Sequence, residues 1–299
     1  MSGELLYKDE IPTRKDEGGS LILEDIKKHI PDMLEAVEKA SDDIAGVGIG
    51  VPGAVRDDGT VNKCVNLGWG VFNVEREMTT LTGFKAKAGN DANVAALGEM
   101  WQGGGKGYSD IVMVTLGTGV GGGVIIGGKI LTGINGAAGE IGHIPMKDDE
   151  EFACGCGNKG CLEQYASANG IVTTTKRYLD AHPEAETTLR DMEKITSKEI
   201  FDEAKKGDKV SILMVNEVGR MLGKALAAVA CVINPEAFVI GGGMSKAGDI
   251  LIDAIKKYYT KYAFHASRET VFKMAELSNS AGIYGAVRLV LGECKRTIV

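Results

Sequence analysis

The stretch from Leu116 to Glu163 constrains this chain more than any other. It opens as LGTGVGGG at the end of an apolar run, passes through GAAGEIGH, and closes on CGCGNKGCLE after a short acidic spacer. Glycine turns, two carboxylates, a histidine and three closely spaced cysteines fall inside one segment. Packing ordinary helices on ordinary strands does not require that density of special residues. The stretch reads as a phosphate-binding turn followed by a substrate wall that a structural metal holds in place.

The rest of the chain gives that stretch an α/β setting. Short apolar runs at 44–51, 84–88, 110–116, 120–126, 237–240 and 270–275 read as strands, several running straight into glycine turns. Residues 4–11 read as an opening strand closed by Pro12. Apolar spacing predicts helices over 24–39, kinked or divided into two short helices at Pro31, then 74–81, 94–101 and 163–179. Further helices are expected from Ser197, over 208–231, where small residues imply close packing, and over 247–262 and 282–291. Residues 180–196 read as a polar surface insertion. Ligands in such folds bind where strand ends meet helix starts.

At 299 residues the chain can form one large or two medium domains with real cores. Its net charge of −7 gives no general attraction to nucleic acid or an anionic membrane, so an anionic ligand needs local amides, a lysine or a metal. No apolar stretch is long enough to span a bilayer and no secretory signal opens the chain, so a reducing cytoplasm is expected. There a cysteine cluster suggests metal before disulfide. Cys64, Cys231 and Cys294 are dispersed and read as ordinary core or surface residues.

Four features carry chemistry. Gly117, Thr118 and Gly119 follow a strand; the same pattern serves a phosphate-binding turn or a plain glycine hairpin, and no Walker sequence occurs. Asn90 and Asp91 stand at a strand-to-helix junction, where Asp91 reads either as a helix cap or as a general base. His143 with Cys154, Cys156 and Cys161 offers one nitrogen and three sulfurs, a closed set of the kind structural zinc takes, with free thiols as the bland alternative. Glu163 begins a helix and reads as a capping carboxylate or, with Glu140, as a ligand contact. Gly241, Gly242 and Gly243 after a strand, and Ala281-Gly282 before the last helix, are weak pocket signals alone.

In order, GIGVPG, NDAN, LGTGVGGG, GAAGEIGH, CGCGNKGCLE, VIGGG and AGIYGA resemble the ROK family of sugar kinases and repressors, within the actin-like ATPase superfamily. The resemblance implies an α/β, ribonuclease H-like fold in two lobes that close over sugar and MgATP. It places residues 1–91 in a partial N-terminal lobe, with a C-terminal helix at 283–299 packed back on it, and 92–282 in the C-terminal lobe. The implied activity is ATP-dependent phosphorylation of D-glucose, a glycolytic step, with N-acetylmannosamine, N-acetylglucosamine or fructose as alternative hexoses. Asp91 becomes the base toward the sugar 6-hydroxyl, and Asn90, Asp91, Glu140, His143 and Glu163 hold the sugar. The loop 66–69 (NLGW) is a further candidate contact. Gly117, Thr118 and Gly119 face the ATP phosphates, while Gly241, Gly242, Gly243, Ala281 and Gly282 border the adenosine. His143, Cys154, Cys156 and Cys161 bind structural Zn2+, with Mg2+ accompanying ATP. A homodimer or homotetramer is implied; a DNA-binding repressor is not, since no helix-turn-helix precedes the core and the charge is acidic.

One departure from the family pattern matters. Family members open with a D-x-G-G-T strand that contacts MgATP, and no D-x-G-G-T occurs in this chain. Matched to the family, the chain begins at the third strand, about twenty residues late at ordinary strand and turn lengths. The expectation is an incomplete first lobe, weak or absent turnover, and intact sugar and zinc sites. A non-catalytic sugar-binding protein is the corresponding alternative.

Overall fold

The structure is a computed structural model that describes residues 2–292. Cys294 and the part of the expected C-terminal helix past residue 292 lie outside the described residues. In chain order the elements begin with a short turn, α1 (Asp16–Gly19), then α2 (Ile22–Ala36), β1 (Val47–Val51), β2 (Thr60–Val61) and β3 (Phe72–Asn73). They continue with α3 (Val74–Thr82), β4 (Ala86–Asn90), α4 (Asp91–Gln102), β5 (Ile111–Leu116), β6 (Val120–Ile126) and β7 (Lys129–Ile130). The last are α5 (Glu163–Ala166), α6 (Ala168–Ala181), α7 (Ser197–Lys205), α8 (Lys209–Ile233), β8 (Ala237–Gly241), α9 (Asp249–Tyr262), β9 (Val271–Met274) and α10 (Ala281–Leu291).

The chain divides into two compact units. One comprises Met1–Ser109, Gly123–Gly139 and Asn279–Val299; the other comprises Asp110–Gly122 and Glu140–Ser278. The division thus falls elsewhere than the expected boundary after residue 91. Helix α4 goes with the first unit because α10 packs along it and reaches β1 and β4 as well. Glycine makes that approach feasible. A Cβ on Gly285 would overlap the Val94 carbonyl, and one on Gly98 would overlap the Ala281 carbonyl.

In the first unit β1 and β4 pair in parallel, from Val47 with Ala86 to Val51 with Asn90. Their apolar side chains join a core of Leu23, Val55, Val61, Trp69, Val74 and Met78. Trp69 is 6% exposed, donates its indole N–H to the Gly19 carbonyl at 2.9 Å and meets Phe72 edge-on. It is therefore a core residue with a satisfied polar tip, not a sugar contact. Helix α2 continues through Pro31 as one helix and is not divided into two. Ile22, Ile26 and Ile30 pack on the core, while Pro31 sits on the exposed side. Residues 4–11 form no strand. No neighbouring strand accepts them among the described residues, and their side chains are mostly exposed. An extended segment without a pairing partner satisfies no ladder.

In the second unit β5, β8 and β9 form a parallel run, with Ile111 opposite Ala237 and Ala237 opposite Val271. Strand β8 is buried throughout, as a parallel strand covered on both faces must be. Helix α8 packs tightly on α9, where Gly219 and Gly223 bring the backbones together. The single helix expected over 163–179 is two. Ser167 takes an extended backbone between α5 and α6, and its side chain caps α6 through the Gly170 amide at 2.9 Å. Among the described residues no helix is long and apolar enough to cross a membrane.

Candidate functional site

In the first unit the candidate chemistry sits at the end of β4. Asn90 is the N-cap of α4: its Oδ1 accepts from the Ala92 amide at 3.0 Å and the Asn93 amide at 3.2 Å. Its Nδ2 donates to the Gly53 carbonyl at 3.2 Å, tying the GIGVPG turn at the end of β1 to the end of β4. Both acceptor positions are used and one N–H remains for a ligand. Asp91 is the first helical residue, not the cap, and its carboxylate accepts from the adjacent Ala92 amide at 2.9 Å. The carboxylate is open to solvent at its tip, yet the protein around it desolvates the charged form and raises its pKa, against the pull of the Ala92 amide. A carboxylate made more basic than usual, with lone pairs to spare, is suited to accepting a proton. Ala281 and Gly282 open α10 in this same unit.

In the second unit two glycine turns lie at the carboxyl ends of neighbouring parallel strands. Gly117 donates to the Gly119 carbonyl at 3.0 Å, closing the turn from β5 into β6. Gly241, Gly242 and Gly243 end β8, and Gly242 has a φ of +85° where it lies against the Leu116 backbone. The carboxyl edge of a parallel sheet is where α/β folds take their ligands.

Glu140 and His143 belong to one short turn, in which the His143 amide donates to the Glu140 carbonyl at 3.1 Å. Gly142 lets that turn rest on the start of β6, since a Cβ there would overlap the Val120 carbonyl. The His143 ring divides its two nitrogens. Nδ1 is 3.8 Å from Cys154 Sγ, and Nε2 is 4.0 Å from a Glu140 carboxylate oxygen. Cys156 and Cys161 bring their Sγ atoms to 3.7 Å, and all four candidate ligand atoms lie within 4.8 Å of one another. Zinc–sulfur bonds of about 2.3 Å in a tetrahedron require sulfur–sulfur edges of about 3.8 Å. The cluster is thus compatible with a structural zinc, which would take Nδ1 and leave Nε2–H pointing away from the metal. Burial and the adjacent Cys156 and Cys154 thiols push the Cys161 thiol up to about 12, a cost that a divalent cation among the sulfurs reverses.

Glu163 stands between the Cys/His cluster and the glycine turn. One oxygen accepts from the Val120 amide at 3.0 Å and the other lies 3.8 Å from Cys154 Sγ. Its side chain therefore braces the turn instead of capping its own helix. Gly119 is glycine for the same reason: a Cβ there would overlap the Glu163 carboxylate.

A second brace was not foreseen from the sequence. Glu150, in the acidic spacer, accepts from the Tyr165 hydroxyl at 2.6 Å, the Arg177 guanidinium at 2.9 Å, and gives its other oxygen to the Phe152 amide at 3.0 Å. Burial alone would raise its pKa, but these three donors hold it down at about 2. Gln164 adds a bond from the Cys161 amide and one to the Phe152 carbonyl. Partners 15 and 27 residues away leave no local signal in the sequence.

A parallel sheet with glycine turns at its strand ends, beside a Cys/His cluster and carboxylates, defines a mixed α/β protein of the actin-like ATPase fold. The chain belongs to the ROK family, whose profile matches residues 1–293. It is 41% identical to a glucokinase of Halalkalibacterium halodurans over 97% of this chain and 89% of that one. It is 39% identical to a glucokinase of Streptomyces coelicolor, covering 86% of this chain and 84% of that one. Among solved structures, a ROK family glucokinase of Streptomyces griseus in complex with glucose and AMPPNP matches with a TM-score of 0.71. That match is 34% identical and covers 95% of this chain and 91% of that one.

Proposed function

We propose that this protein transfers the γ-phosphoryl group of ATP to the 6-hydroxyl of D-glucose, giving ADP and glucose 6-phosphate. The observation that carries the reading is the divided imidazole of His143. With a metal on Nδ1, which lies 3.8 Å from Cys154 Sγ, Nε2 would carry the proton and act as a donor beside the Glu140 carboxylate oxygen 4.0 Å away. A fixed donor next to fixed acceptors suits neighbouring sugar hydroxyls, each of which both gives and takes a hydrogen bond. The glucokinase relatives support glucose as the hexose.

In this reading Asp91 takes the proton as the 6-oxygen attacks the γ-phosphorus; the P–O bond to the β-phosphate breaks and ADP leaves with that electron pair. Little covalent work falls to the protein in such a transfer, so positioning and charge compensation dominate. Glu140, His143 and Glu163 hold the other sugar hydroxyls. The amides of the Gly117–Gly119 turn and of Gly241–Gly243 receive the phosphates and the adenosine of ATP, which arrives as its magnesium complex. His143, Cys154, Cys156 and Cys161 would hold a structural zinc with four protein ligands and no position open to substrate, and its contribution would be to fix the imidazole. The family resemblance also supports a homo-oligomer, read by sedimentation, and a cytoplasmic location, read by fractionation.

An ADP-release assay over a panel of hexoses tests the reading. Glucose should give the highest kcat/KM. A larger value with N-acetylglucosamine, N-acetylmannosamine or fructose would replace the hexose, and glucose binding without ADP release would leave a sugar-binding protein.

A further inference from the structure

We propose that Arg177 is a positioning residue for the sugar site: through Glu150 and Phe152 it holds the cysteine loop, and with it the His143 imidazole, in its binding geometry. Its effect on glucose rests on the hexose reading above; its effect on the loop does not.

His143 and the cysteines lie on one doubled-back segment of the second unit. Just past His143, Pro145 bridges Cys161, the Leu162 amide donates to the Ile144 carbonyl at 2.9 Å and the Met146 amide to the Gly160 carbonyl at 2.7 Å. Farther out, Ala153 bridges Lys159, and the Cys154 amide donates to the Asn158 carbonyl at 2.7 Å. Residues 148–152 join these two pairings, and they are what Arg177 grips.

One guanidinium does two things there. A terminal nitrogen donates to Glu150 at 2.9 Å, and the central carbon lies over the Phe152 ring, 4.6 Å from its centroid. The Glu150 side chain is 6% exposed, and a carboxylate so enclosed depends on a cationic partner. The Phe152 ring is largely exposed, and a cation on its face orders it. The Phe152 backbone carries the hold onward. Its amide donates to Glu150 at 3.0 Å and its carbonyl accepts from Gln164 at 2.9 Å, while Gln164 Oε1 accepts from the Cys161 amide at 3.0 Å. A run of contacts therefore leads from Arg177 to Cys161, and through the paired limb to His143. Tyr165 supports the same segment: its hydroxyl reaches Glu150 at 2.6 Å, and the Lys147 ammonium lies 4.7 Å over its ring.

Arg177 can act on the loop without unsettling the core. Its side chain is 42% exposed, while Ile171, Thr175 and Leu179 bury the other face of α6. Lysine would restore the charge opposite Glu150 but not the flat face over Phe152.

The test compares the full chain with Arg177→Gln, Arg177→Lys and Tyr165→Phe, each loaded with Zn2+. The readouts are glucose affinity by calorimetry, kcat and KM in the ADP-release assay, zinc release to a chelator, and hydrogen exchange. Arg177→Gln should raise Kd and KM for glucose about 10-fold and speed zinc release about 10–100-fold. Its kcat should stay within about twofold, because Asp91 is untouched. Amides at 144–162 should exchange faster while those of α8 keep the parent's protection. Arg177→Lys should recover part of each effect. Tyr165→Phe removes one donor to Glu150, should shift each readout less and in the same direction, and keeps the test open if Arg177→Gln does not fold. The proposal is overturned if zinc release and exchange match the parent, if kcat falls while KM holds, or if α8 loses protection equally, the mark of general destabilisation. A parent that binds no glucose defeats the hexose reading, and zinc release with exchange still decides the role of Arg177.

Discussion

Asp91 is held by the chain's own backbone, whereas His143 is held by other side chains. At the end of β4 the cap of α4, the Gly53 carbonyl and the strand register fix the junction, and every partner is local or on the paired strand. Around His143 there is little regular structure. The loop carries the four candidate metal ligands and is braced by Glu163 on the Val120 amide and by Glu150 on Tyr165 and Arg177. The first arrangement survives so long as the fold does. The second can be released piece by piece, which is where it is experimentally vulnerable.

The largest effect expected is on the backbone-held side. Asp91→Asn should lower kcat by about 10²–10⁴, the usual loss for a general base, with glucose affinity and metal content nearly unchanged. Retained turnover would mean that Asp91 is only the first residue of its helix. The next is Glu150→Gln. The Glu150 pKa drops from 4.5 free to about 2 when folded, so its stabilisation is full above pH 4.5 and fades as pH falls toward 2. The variant should therefore unfold more easily at neutral pH and lose the parent's decline in that acidic window, as denaturant titrations at several pH values will show.

Cys156→Ser should release the metal and weaken glucose binding about 10–100-fold, since the support of His143 goes with it. Elemental analysis beside calorimetry decides: full metal content in the variant, or unaltered glucose affinity after metal loss, breaks the link between cluster and imidazole. The smallest effect is a displacement on the pH axis. Desolvation raises the Asp91 pKa, so the acid limb of kcat/KM should lie above the range of an ordinary exposed aspartate. A limb at the ordinary value would leave the raised basicity without a catalytic role.

What the sequence disclosed follows the same divide. Strand β6 could be read to the residue, because its apolar run ends in glycines on both sides. The Cys/His cluster was visible because ligand chemistry leaves few other uses for that spacing. The cap at Asn90 was assigned to its neighbour, since Asn and Asp are equally good caps and only the backbone decides between them. The strand expected over 4–11 was a propensity without a partner. The helix through Pro31 shows the opposite error: packing of Ile22, Ile26 and Ile30 outweighs one lost hydrogen bond. Glu150 and the Val120 amide escaped notice because they act on residues far along the chain.

Glu163 touches the glycine turn with one carboxylate oxygen and the edge of the cysteine cluster with the other. A ligand that donates a hydrogen bond to this carboxylate competes with the Val120 amide, and one that orders the turn in turn strengthens the hold on Glu163. Two occupants that share such a group have linked affinities. Whatever factor one imposes on the other is returned in equal measure, so the order in which they arrive changes the path and not the total.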